Sequence, residues 1–173
     1  MDILPVATAW ARAEVFSARF FVFAGIGFVL GGVGFWWLGR TDVARAYVVP
    51  TVVAGVLLLI VGFGICYANA TRVDSFRVDY EADGPAFVAA ELARTQQSLD
   101  EYRTIVFRGI PAIIVLAALL IVFVERPAWR ASGIVTIGLM TVILLVDSNA
   151  KARIEDYRQH LRLATHQPQP PAQ

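Results

Sequence analysis

Apolar residues fall in four runs, Phe20–Leu38, Ala46–Ala68, Ile110–Val124 and Ala131–Val146, and one long polar stretch, Asn69–Gly109, divides them two and two. A helix needs roughly 17–25 largely apolar residues to cross a bilayer. The pattern therefore predicts an all-α membrane protein with four transmembrane helices, arranged as two helical hairpins with helical extensions on the cytoplasmic side. The fourth run is the short one: at about 1.5 Å per residue it covers roughly 24 Å, so it recruits flanking residues or thins the bilayer. Short links, Gly39–Arg45 and Glu125–Arg130, turn the chain within each hairpin, and Trp36, Trp37 and Trp129 stand where an aromatic belt belongs.

The two hairpins look like copies. Arg19 to Ile26 opens the first span and Arg103 to Ile110 the third, and both read R-x-x-V-F-x-G-I. Asn69-Ala70 follows the second span and Asn149-Ala150 the fourth; each precedes an Arg-rich match, Arg72 to Arg77 and Arg153 to Arg158. Both copies start from the same side, which predicts a parallel repeat about an axis along the membrane normal. The division that follows is an N-terminal amphipathic segment 1–18 lying on the membrane surface, repeat one over 19–77, an acidic linker and amphipathic helix over 78–102, repeat two over 103–164, and a disordered tail over 165–173. Gly27 and Pro111 align between the copies and predict a shared bend.

Two packing surfaces stand out. Gly27 and Gly31 form a GxxxG pair extended by Gly34, and small residues at this spacing let helix backbones approach within a membrane, either inside the subunit or across a dimer seam. Outside the membrane, Asp83-Gly84-Pro85 reads as a helix start. From there Val88, Leu92, Leu99, Tyr102 and Val106 recur at helical steps, interrupted at Thr95; Ala150, Ile154, Tyr157 and Leu161 do the same after the fourth span. The two seams are expected to pack together below the membrane, with acidic residues of 69–103 facing basic residues of the C-terminal helix.

Composition adds orientation and compartment. The chain is 57% hydrophobic and 17% charged, with mean hydropathy +0.61, well below the charge content of soluble domains. Of the 15 basic residues, eleven lie in the termini and the central stretch and four in the two short links. That asymmetry puts both termini in the cytoplasm. Lys151 is the only lysine; arginine dominance fits a bacterial gene, hence the inner (cytoplasmic) membrane. No cleavable leader is expected, because the first apolar run is long and lacks a basic preceding region. Net charge of +1 gives no case for nucleic acid, and the single Cys66 allows no internal disulfide.

Chemistry is hard to find. Asp79, Glu81, Asp83 and Gly84 imitate the start of a calcium loop, but Pro85 and Ala90 occupy its seventh and twelfth positions, where a carbonyl ligand and a bidentate Glu belong. His160 and His166 lack ligand-spaced companions. Ionisable residues lie at span ends rather than mid-span; Asp147, beside the cytoplasmic seam, is the one possible polar site. No cofactor or metal is expected. The chain reads as a non-catalytic, small multi-pass membrane protein that binds a partner, as an accessory, assembly or immunity-type subunit. Its surroundings are then the lipid bilayer and further copies of itself or another membrane protein. The alternative is an oligomeric channel or small-solute transporter.

Overall fold

The computed structural model describes residues 3–166, which are helical almost throughout and contain no strand. The elements are α1 (Leu4–Leu38), α2 (Asp42–Ala46), α3 (Val48–Ala82), α4 (Gly84–Glu101), a π-helical segment (Tyr102–Gly109), α5 (Ile110–Phe123) and α6 (Pro127–His166). Of the expected tail over 165–173, Thr165 and His166 are the last residues of α6, and 167–173 lie outside the described residues.

Local chemistry explains the boundaries. Thr41 Oγ1 accepts the Ala44 N–H at 3.1 Å and starts α2. Asp83 accepts the Ala86 N–H at 2.9 Å and starts α4, with Pro85 in the first turn, where its missing N–H breaks no bond. Pro5, Pro50 and Pro127 likewise occupy first turns of α1, α3 and α6. Pro111 cannot supply an α-helical bond to the carbonyl four residues back and crowds it. The chain meets it with wider π turns, in which the Ile110 N–H reaches the Ile105 carbonyl. The matching stretch of the first hairpin, around Gly25 to Gly27, stays regular α-helix. The π turns are therefore confined to the second hairpin, because glycine keeps its N–H and proline does not.

Four helical stretches are long and apolar enough to cross a membrane: Leu4–Leu38, Asp42–Ala82, Gly84–Phe123 and Pro127–Thr165. At 1.5 Å per residue, the 35 residues of α1 cover about 52 Å against a hydrocarbon core of about 30 Å. The excess emerges at one end of the bundle, where the N-terminal turns of α1, the C-terminal turns of α3 and α6, and α4 form a second layer. Segment 4–18 is the start of α1, continuous with the first span, with Ala7, Trp10 and Ala11 buried in that layer.

Each layer has its own core. In the span layer, Phe21, Ala54, Leu58, Val135 and Leu139 are buried together. In the polar layer, Ile3, Ala7, Trp10, Phe76, Phe87 and Leu99 meet Ile154, Tyr157 and Leu161. The hairpins also close differently. A Cβ built on Gly25 would lie 2.9 Å from the Gly55 carbonyl oxygen, and one on Gly55 would lie 2.8 Å from that of Gly25, so α1 and α3 cross backbone to backbone. Gly32 against Val52, and Gly62 against Phe21 and Val22, extend this contact. In the second hairpin only Gly133 makes such an approach, to the Ala117 carbonyl and Ile121. Helix α6 touches α1 and α3, whereas among the described residues α5 has α6 as its sole neighbour beyond the π segment that leads into it.

Candidate functional site

The richest polar chemistry sits in the second layer, where α1, α4 and α6 converge. Glu91 of α4 is buried, with both carboxylate oxygens engaged by Arg94: Nε meets Oε1 at 2.8 Å and Nη2 meets Oε2. The Tyr157 hydroxyl of α6 donates to Oε2 at 2.9 Å. Trp10 of α1 stacks on the Tyr157 ring, with centroids 5.0 Å apart and planes within 10°. The Arg94 guanidinium lies 4.6 Å from the Trp10 ring centre, a cation–π contact. Burial, followed by the Glu91 carboxylate, holds the Tyr157 proton far above the ordinary tyrosine range, so this hydroxyl stays a donor. Burial and the nearby Arg94 lower the pKa of Arg72, whose side chain reaches Asn69 Oδ1 at 3.4 Å.

A second cluster lies nearer the membrane. Arg153 Nε of α6 meets Glu14 Oε1 of α1 at 3.0 Å. Half-buried Asp147 and Tyr102 both feel the Glu14 charge. Tyr102 titrates above its usual range, first from burial and then from Asp147 and Glu14. Lys151 Nζ stands 5.0 Å over the Phe107 ring.

Most of the expected seam residues meet in one place, while Val106 and Ala150 are buried outside that cluster. Val88, Leu99, Ile154, Tyr157 and Leu161 are buried in a single cluster, with Leu92 and Tyr102 packed against it. Thr95 does not interrupt the seam: it is fully buried, and its hydroxyl donates to the Leu92 carbonyl at 2.9 Å. The glycine trio is placed otherwise. Gly27 and Gly34 have nothing within 4 Å of where a Cβ would sit, and Gly31 has only Thr51 Cγ2 at 3.7 Å. The close approach belongs to Gly25 and Gly32, on another face of α1. Asp79 and Glu81 lie inside α3 and Asp83 caps α4, so the calcium-loop imitation is helix and cap. Sequence reasoning missed Trp10, Glu14 and Glu91. The first two were findable, since Ile3, Ala7, Trp10, Glu14, Ser17 and Phe21 recur at steps of four and three straight into the span.

Among the described residues, no three His, Cys, Asp or Glu side chains gather as a metal site. Grooves open on the surface of both layers. One of about 660 Å³ runs along the outer face of α4 into the π segment, past Ala93, Gln97, Glu101 and Ile105 on one row and Gln96, Asp100 and Thr104 on the next, all exposed. Another, about 270 Å³, lies between α3 and α6 within the span layer, beside Val53, Ala54, Val135 and Thr136.

Four helices able to cross a membrane, tied at one end by an interlocked helical layer, have the architecture of a multi-pass membrane protein. No protein-family model, curated protein or solved structure matches the chain.

Proposed function

We propose that this chain is a non-catalytic, partner-binding protein of the bacterial inner membrane, an accessory, assembly or immunity-type subunit whose termini and helical layer face the cytoplasm. The observation that carries this reading is the contrast between the two faces of α4. Its inner face is engaged: Glu91, Thr95 and Leu99 are bonded or packed within the layer. Its outer face presents two exposed rows over three helical turns, with Asp100 and Glu101 at the centre, against which a helix carrying basic residues fits. The excess of arginine on this side supports the cytoplasmic placement.

The test is site-specific cross-linking in native membranes from Gln97→Cys in a Cys66→Ala background. A stoichiometric adduct with a different polypeptide, lost when Asp100 and Glu101 are both changed to Lys, is the expected result. An oligomeric channel or transporter is the second reading, favoured by the outward-facing Gly27 and Gly34. Solute flux through proteoliposomes holding this chain alone, together with self-adducts only, would replace the first reading by the second.

A further inference from the structure

The arginines of the polar layer divide into two groups. Arg72, Arg77, Arg94, Arg153 and Arg158 each bond a side chain: Asn69, Glu81, Glu91, Glu14 and Gln96. Arg12, Arg19, Arg162, Arg103 and Arg108 are exposed and their side chains carry no hydrogen bond or ion pair among the described residues, and of these Arg103 and Arg108 lie within five residues of each other. Both belong to the π-helical segment, in which i→i+5 bonding places residues four and five apart on one side. Arg103, Phe107 and Arg108 therefore share a side, and Phe107 turns toward Lys151 of α6, whose Nζ is 5.0 Å from the ring centre. Among the neighbouring acids, Glu101 and Asp100 accept hydrogen bonds from Gln97 and Gln96 on α4, and half-buried Asp147 lies within reach of the Glu14 charge. Glu155 approaches Lys151 at 3.6 Å and leaves two of its three donors free.

Depth makes this patch more than a positive surface. The apolar run of the third span starts at Ile110, which puts Arg108 and Arg103 about 3 and about 10 Å below it; Lys151 stands about 7 Å beyond the end of the fourth span at Val146. The headgroup layer is about 5–8 Å thick on each side, and long basic side chains reach up into it. Three cations at phosphate depth, around an exposed phenyl ring that can enter the top of the acyl region, match the head of an anionic phospholipid.

We infer that Arg103, Arg108 and Lys151, around Phe107 at the junction of the π segment and α6, form a binding site for one anionic phospholipid of the leaflet facing the polar layer. The π turns serve this site by bringing both arginines to one side. Anionic lipid thereby bridges the entry to the third span and the exit from the fourth.

The experiment titrates short-chain phosphatidylglycerol, and separately short-chain phosphatidylcholine, onto the purified chain in neutral detergent, and counts bound lipid by native mass spectrometry. The first phosphatidylglycerol is expected to bind at least about 5-fold tighter than phosphatidylcholine, and each basic residue removed should reduce its affinity about 5-fold. Arg103→Gln with Arg108→Gln should abolish the preference, while Arg103→Lys with Arg108→Lys retains it. Arg12→Gln with Arg19→Gln removes the same charge from α1 and should leave it intact. Unchanged melting temperature establishes that each pair folds. The site is overturned if the α1 pair loses as much as the π-segment pair, if neither loses, or if inorganic phosphate displaces the lipid at equal concentration.

Discussion

The two hairpins share a sequence opening and are built differently. In the first, Gly25 and Gly55 bring α1 and α3 into backbone contact, and Gly32 and Gly62 extend the seam. In the second, α5 rests on α6 through one glycine, Gly133, and enters the membrane through π turns forced by Pro111. One hairpin is closed by its own span packing. The other is held mainly by what lies outside the span, where α4 and the end of α6 lock onto α1 through Trp10, Glu91, Arg94 and Tyr157. A shared sequence opening thus does not give the two helix pairs the same means of staying together.

The largest expected effect comes from cutting that outer lock. Glu91→Ala leaves the half-buried Arg94 without its carboxylate and should destabilise the chain by about 3 kcal/mol in reversible denaturation. Tyr157→Phe removes one hydrogen bond to the same carboxylate while keeping the stack on Trp10, and should cost about 1.5–3 kcal/mol. Next stands the seam of the first hairpin. Gly55→Leu drives a side chain into the Gly25 carbonyl and Val29, and should cost about 1–3 kcal/mol by overpacking. The same change at Gly27 or Gly34 meets open space and should stay within about 0.5 kcal/mol in the monomer. A loss at Gly27 as large as at Gly55 would erase the distinction between the two faces of α1.

Much of the architecture was legible from the chain alone because it rests on periodicity and punctuation. Four apolar runs give the spans, Asp83-Gly84-Pro85 gives the start of α4, and the steps of three and four from Val88 to Tyr102 and from Ile154 to Leu161 mark the surfaces that meet. What escaped depends on partners. Five glycines crowd α1, and GxxxG spacing cannot tell Gly27 from Gly25; the position of Gly55 on α3 decides it. Thr95 looks like a break until its hydroxyl is seen to bond its own backbone. Glu91 reads as a solvated charge until Arg94 and Tyr157 close around it. Proline at 111 is visible, but the wider turns that absorb it are not spelled in any residue.

The polar layer acts as one interlocked unit joining both hairpins, and hydrogen–deuterium exchange on the Glu91→Ala chain puts this to the test. If the layer is interlocked, amides of α1 between residues 4 and 14 lose protection together with those of α4 and the last turns of α6, while the Gly25–Gly55 crossing stays protected. Loss confined to α4, with the start of α1 as protected as before, would contradict it.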